Sequence, residues 1–234
     1  MKYDLEALRK HVNTLSATKS IVKDSEGYFQ LSITENGTGS AILRFLPSLA
    51  GEEFPIIQSY SHAFVAPSGQ WFIEPCPTTL NLRCPVCEAV SMSRDRAQAS
   101  LCARKMYFIS NVLVLLDPRN PENEGKVYLY KYGRTIMDKI EELMTPLSDT
   151  EGVDPFDPEF GANFRLRAIQ KTGEYPDYSR SSFDPPSSIG NEEFIATVLS
   201  RRQSLESIIA PSQFKSYEQL KRKFEDMLSM KKSA

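Results

Sequence analysis

Residues 105–116 read Lys105-Met106-Tyr107-Phe108-Ile109-Ser110-Asn111-Val112-Leu113-Val114-Leu115-Leu116. Apolar, β-branched and aromatic residues fill the run, which predicts a central β-strand. The turn-forming stretch Asp117-Pro118-Arg119-Asn120-Pro121-Glu122-Asn123-Glu124-Gly125 closes it,. Residues 126–132 form the next predicted strand, ended by Gly133. Upstream, Ala41 to Leu46 reads as a strand closed by Pro47, with shorter candidates at 55–60 and 70–73. Downstream, 163–170 alternates as a strand. Helical spacing marks 4–15 through Leu5, Leu8, Val12 and Leu15, and 135–144 through Ile136, Ile140 and Leu143,. After an acidic loop at 145–160 and a Pro/Ser-rich loop at 175–188, the rest reads as helical. Phe194, Ile195, Val198, Leu199, Leu205 and Ile209 share one face. Ser216-x-x-Gln219 is a capping box ahead of Leu220, Phe224 and Leu228,. Strands in the middle and helices at the end predict an α+β chain, a small barrel carrying a helical appendage.

The chain of 234 residues is 41% apolar and 25% charged, which excludes disordered and collagen-like classes and leaves ample material for a core,. Its longest unbroken apolar run is Val112 to Leu116, far short of the about 20 residues a bilayer span needs. Met1-Lys2-Tyr3-Asp4-Leu5-Glu6 has none of the apolar character of a secretory signal,. The expectation is therefore a cytoplasmic protein. The net charge of −2 hides a pattern: residues 83–134 hold nine basic and five acidic residues, 135–163 hold one and eight, and 164–183 hold four and two. Two basic stretches flank an acidic one, which is compatible with a basic groove on a slightly acidic surface.

Four cysteines in such a chain do not suggest a disulfide framework. His62, Cys76, Cys84 and Cys87 have spacing that fits a tetrahedral Cys3His zinc site, because a Cys-x-x-Cys turn lets two thiolates converge on one ion,. Pro77 and Pro85 follow two of them and favour extended or turn backbone there. The spacing also admits a redox pair at a helix start, since 88–92 reads as helical, and inert buried thiols. Cys102 reads as a small buried residue, and His11 as an exposed residue on the first helix.

In Val127-Tyr128-Leu129-Tyr130-Lys131-Tyr132 the tyrosines alternate, so a strand projects all three to one face, with Val127 and Leu129 opposite,. With Val127 and Leu129 filling the core, the tyrosine face becomes an outer platform for stacking unpaired bases. The competing reading is cross-strand tyrosine packing. Tyr107 and Phe108 beside Arg104 and Lys105, and Tyr175 and Tyr178 near Lys171 and Arg180, repeat the pairing of ring and cation.

At these residues the chain resembles the T-even-type bacteriophage single-stranded DNA-binding (helix-destabilising) proteins. The resemblance covers roughly 38–230. It is carried by Ala41-Ile42-Leu43-Arg44-Phe45-Leu46-Pro47, Gln70-Trp71-Phe72-Ile73-Glu74, Cys84-Pro85-Val86-Cys87, Pro121-Glu122-Asn123-Glu124-Gly125-Lys126-Val127, Asp138-Lys139-Ile140, Gly161-Ala162-Asn163-Phe164 and Phe214-Lys215-Ser216-Tyr217-Glu218. It implies an OB-fold β-barrel core at 39–234, with a zinc-binding subdomain at about 60–105 and a C-terminal helical flap at about 190–230. An N-terminal helix and polar linker at 1–38 precede this core. It implies one structural Zn2+ held by His62, Cys76, Cys84 and Cys87, and DNA in a cleft between the subdomains. Arg104 and Lys105 carry over as backbone contacts. Phe108, Tyr130, Tyr132, Tyr175 and Tyr178 carry over as stacking or cleft aromatics, and Lys131 and Arg134 as phosphate neighbours. Ile109 stands where the family has an indole ring. Residues 1–20 carry Lys2, Arg9, Lys10 and Lys19 where the family has a basic arm that drives head-to-tail cooperativity. The sequence ends Met230-Lys231-Lys232-Ser233-Ala234 where the family has an acidic tail that recruits partners.

The resulting expectation is a non-enzymatic protein of the bacterial host's cytoplasm that coats single-stranded DNA without sequence preference in phage replication, recombination and repair. Its partners would be the strand, its own copies along the strand, and phage replication and recombination proteins, with no membrane. The alternatives are an RNA-binding translational regulator and a thiol oxidoreductase using Cys84 and Cys87.

Overall fold

The computed structural model describes residues 27–146, 151–171 and 175–229. The predicted helix at 4–15, with His11, and the end of the chain from 230 lie outside them. Seven strands form one antiparallel sheet: β1 Thr38–Phe45, β2 Ile57–Val65, β3 Trp71–Pro75, β4 Lys105–Leu116, β5 Val127–Tyr132, β6 Ala162–Ile169 and β7 Ser182–Pro186. The helices are α1 Pro85–Met92, α2 Arg96–Cys102, α3 Arg134–Met144, α4 Glu192–Leu199 and α5 Tyr217–Ser229.

β4 is the trunk of the molecule. Its first half pairs with β2, from Lys105 opposite Ser61 to Ile109 opposite Ile57. Its second half pairs with β1, from Val112 opposite Phe45 to Leu116 opposite Ile42. Because β5 pairs with the middle of β4, β2 and β1 must share the other edge. The sheet therefore forks: β2 leads to β3 and the cysteine segment, and β1 leads to β6 and β7. Residues 27–29 cover the outer edge of β5, where the Phe29 amide donates to the Leu129 carbonyl at 2.7 Å.

Each branch has its own core. The larger gathers Leu43, Phe45, Phe108, Val112, Tyr130, Tyr132, Phe164 and Leu166 from the sheet and closes it with Ile136 and Ile140 of α3. The smaller joins Phe64, Phe72, Cys76, Cys84 and Val86 to Leu220, Phe224 and Met227 of α5. The predicted capping box starts that helix: the Gln219 amide donates to Ser216 Oγ at 3.3 Å, and the Ser216 amide donates to Gln219 Oε1 at 3.0 Å,.

Three expectations need correction. The tyrosine face of β5 is not an outer platform: Tyr130 and Tyr132 are only 5% and 4% exposed, and Phe108 is buried beside them. The alternation is as read, but the sheet curls the tyrosine face inward against Phe45 and α3. The opposite face carries Lys131 to solvent beyond Leu129 and Leu205. The loop assigned to 175–188 contains β7, whose Phe183 packs on Phe164 with ring centroids 4.8 Å apart. The helical run from 194 is broken after Leu199 into 3-10 turns at Glu206–Ile209 and Pro211–Gln213, and Phe194 is exposed.

Candidate metal centre and nucleic-acid interface

His62 sits in β2 on the face that also carries Phe64, and pairs across to Glu74 of β3. Cys76 follows β3, and Cys84 is the N-cap of α1, one turn ahead of Cys87. The prolines act locally as read. Cys76 and Cys84 are both extended, with φ/ψ of −90°/121° and −127°/119°, and Pro85 opens the helix where its missing amide costs nothing,. The four ligand atoms all lie within 4.8 Å of one another. Cys84 Sγ and Cys87 Sγ are 3.4 and 3.6 Å from His62 Nε2, and Cys76 Sγ is 3.6 Å from Cys87 Sγ. A tetrahedral ion with about 2.3 Å bonds to three sulfurs and about 2.0 Å to one nitrogen has edges of about 3.5–3.8 Å. The cluster could thus hold one metal ion.

His62 Nδ1 lies 2.9 Å from the Cys102 carbonyl. Donation to that carbonyl leaves the Nε2 lone pair facing the sulfurs, the arrangement that orients a histidine ligand. Cys102 therefore contributes through its backbone, which no spacing rule in the sequence reveals. Hydrogen bonding from Cys84, then from His62 and Thr78, holds the Cys76 thiol well below its usual pKa against the burial that raises it. Cys84 is pushed up, chiefly by its hydrogen bond to Cys76 and by burial. With His62 and Cys76 included, Cys84 and Cys87 belong to a four-donor set and not to an isolated dithiol pair.

The metal cluster connects to the surface through Thr78. Its hydroxyl lies 3.1 Å from Cys76 Sγ and accepts from Arg104 Nη1 at 2.5 Å. The Arg104 guanidinium in turn lies 4.3 Å from the centroid of the Tyr60 ring. Around the first half of β4 there are two more such pairs. Lys131 Nζ stands 3.5 Å from the Tyr107 centroid, and Lys105 Nζ stands 5.4 Å from that of Tyr175. Lys131 is exposed by area, yet desolvation lowers its pKa.

Of the residues singled out in the sequence, Arg104, Lys105, Lys131 and Tyr175 take part in these pairs, the register placing Tyr60 on one face of the sheet and Tyr107 with Lys131 on the other, and Tyr175 is 83% exposed. Phe108, Tyr130 and Tyr132 lie in the core: the Tyr130 and Tyr132 rings stack with centroids 5.5 Å apart, and Tyr132 Oη is 2.9 Å from Ser110 Oγ. Burial raises the pKa of both tyrosines. Tyr178 is half-buried against the same core. Arg134 is turned to its own helix, paired with Asp138 at 2.5 Å and Glu141 at 2.8 Å. Tyr60 was missed because its strand carries no basic residue. Its cation arrives from the far side of α2.

Residues 37–228 match the family model described as gp32 DNA binding protein like. The chain is 35% identical over 223 residues to the single-stranded DNA-binding protein of Enterobacteria phage T4, a match covering 90% of this chain and 73% of that protein. It is 35% identical over 218 residues to the protein of the same name from Enterobacteria phage T2, covering 88% and 71%. A shorter relative, the single-stranded DNA-binding protein of Enterobacteria phage RB70, is 33% identical over 91 residues, or 36% of this chain and 77% of that protein. On the family match and the two long alignments, the chain belongs to the gp32 DNA-binding-protein-like family.

Proposed function

We propose that this chain binds single-stranded DNA without sequence preference, and coats and protects it during phage replication, recombination and repair inside the host cell. The observation that carries the reading is the presence of three cation–aromatic pairs along the first half of β4: Arg104 with Tyr60, Lys105 with Tyr175, and Lys131 with Tyr107. Phosphates would take the cations, and bases would stack on the rings. Neither contact reads base identity, so sequence preference is weak. A duplex keeps its base faces stacked inside and cannot use the rings. Binding only the open strand pulls melting forward by mass action.

The metal would be zinc. Three thiolates and one imidazole at tetrahedral spacing suit it, and four protein ligands leave no position for activating water, which makes the role structural,. His62, Cys76, Cys84 and Cys87 would hold the ion, and Thr78 and Cys102 would orient its ligands and Arg104. The curled sheet around the Phe45–Tyr132–Phe164 core supports the OB-fold barrel. The cysteine segment with α1, α2 and β3 supports a metal subdomain at about 60–105.

Fluorescence titration with single-stranded and duplex DNA of one sequence, at two salt concentrations, tests the reading. Tight binding to the single strand alone is expected. With Arg104, Lys105 and Lys131 on phosphates, the slope of log K against log salt is expected near about −2. Equal affinity for duplex, or a slope of zero, would overturn it.

A further inference from the structure

The basic residues of the second positive stretch, 164–183, are not used at the fork. The alternation of β6 sends Arg165 and Arg167 to the outer face of the sheet, away from the core that Phe164 and Leu166 fill. Register brings them opposite Ile42 and Ser40 of β1. Two adjoining cavities of about 340 and 310 Å3 lie on this face. They share Ser40, Pro118 and Arg167. Arg119 and Arg180 line the first and Arg165 the second, with Thr34 and Thr38 adding hydroxyls to the first.

Acidic neighbours offset only part of this charge. Asp184 pairs with Arg165, and Asp177 lies near Arg180, where it is held mainly by Ser179. Arg167 and Arg180 form no ion pair with a carboxylate among the described residues. A groove with an arginine-rich wall and a hydroxyl-bearing floor suits phosphate oxygens.

Its location relates it to the fork. Leu116, at the far end of β4, lines the second cavity, while Lys105 begins the strand at the cation–aromatic cluster. Twelve residues at about 3.3 Å each set an upper limit of about 40 Å between them. One loop touches both places: Tyr175 lies under Lys105, and Arg180, five residues later, lines the groove.

We propose that this groove is a second phosphate track, taking the sugar–phosphate backbone of the strand where it continues past the fork along the 175–180 loop. The proposal rests on the single-strand reading above. It adds a site, lined by Arg167 and Arg180, that only strands longer than the first cluster can reach.

Strand length provides the test. Single-stranded sites on related barrels run from about 4 to 16 nucleotides, so oligonucleotides of about 5 and about 16 are titrated with the full chain across a salt series. The double variant R167A/R180A is expected to bind the 5-mer as the parent does. On the 16-mer its salt slope should be shallower by about 1.4, two phosphate contacts at about 0.7 each, with weaker affinity at low salt. R167K/R180K, which keeps the charge, should restore the slope, and equal melting temperatures show that the fold is intact. An unchanged slope on the 16-mer overturns the second track and leaves the first cluster standing. Failure of the parent chain to bind either length overturns both. Loss of affinity for a polyglutamate peptide, with the 16-mer unaffected, overturns it in favour of an acidic protein segment.

Discussion

Tyr107 and Tyr130 lie three positions apart in sheet register but on opposite faces, and their substitution should separate binding from stability. Tyr107 is half-buried with Lys131 over its ring. Y107A is expected to weaken single-strand affinity by about 1–3 kcal/mol, roughly 5- to 150-fold, with little change in melting temperature. Tyr130 packs against Tyr132 and Phe29 in the main core. Y130A should cost about 3–5 kcal/mol of stability by leaving a cavity, and should lower the melting temperature by about 6 °C or more. Differential scanning calorimetry beside the titration separates the two. If Y130A melts normally and fails to bind, the inward assignment of the tyrosine face is wrong. Thr78 offers a finer test. T78V removes the hydroxyl between Cys76 and Arg104 and should reduce single-strand affinity severalfold, with T78S restoring it. The sequence shows alternation along β5, but alternation cannot say which side is inside. That depends on Phe45, Phe164 and α3, residues distant in the chain that the curl of the sheet brings together.

At the scale of elements, α5 is built into the small core by Leu220, Phe224 and Met227. A buried carboxylate helps hold it: Glu74 of β3 receives Lys215 at 2.7 and 2.9 Å and also Lys223. Burial raises the Glu74 pKa, but the two lysines outweigh it and the net shift is downward. A carboxylate with a depressed folded pKa adds stability that is full above its unfolded pKa, near 4.3, and is lost as pH falls through the lower folded value. Thermal melts from pH 7 to 3 should therefore show an acid loss of stability below about pH 4 that is smaller in E74Q, with E74Q itself less stable at pH 7 by about 2 kcal/mol. Parallel curves would mean that the ion pairs are too screened to matter. The capping box makes a smaller claim: S216A should cost about 1 kcal/mol. Its signature was legible in four consecutive residues because a cap is a local hydrogen-bond exchange. The clamp on Glu74 was not, since its lysines lie 141 and 149 positions away.

For the whole molecule, one chain of contacts links the His62 and cysteine cluster, α5 and the Arg104–Tyr60 pair. Cys84 and Val86 share a core with Leu220 and Phe224, and Thr78 ties Cys76 to Arg104. Removing the metal with a chelator, or making C84S, should thus melt the small branch and α5 ahead of the large core. Circular dichroism should show a separate low-temperature transition with loss of helix, and single-strand affinity should fall with it. One unchanged transition would show that the cluster folds without an ion. Much of this was present in the linear order of residues. The β4 and β5 runs, the Cys-x-x-Cys turn with its prolines and the capping box are local, encoded in periodicity and short-range sterics, and residue type and spacing offered the four cluster residues as a metal set beside a redox pair and inert thiols. Tertiary structure decided what depends on long-range closure: which face of β5 is inside, that α5 packs on the cysteine segment, that the Cys102 carbonyl meets His62 Nδ1, and that Tyr60 and Tyr107 stand beside cations while Tyr130 and Tyr132 are buried. A strand's own residues define two faces, and only the packing of the rest of the chain against one of them leaves the other open to a ligand.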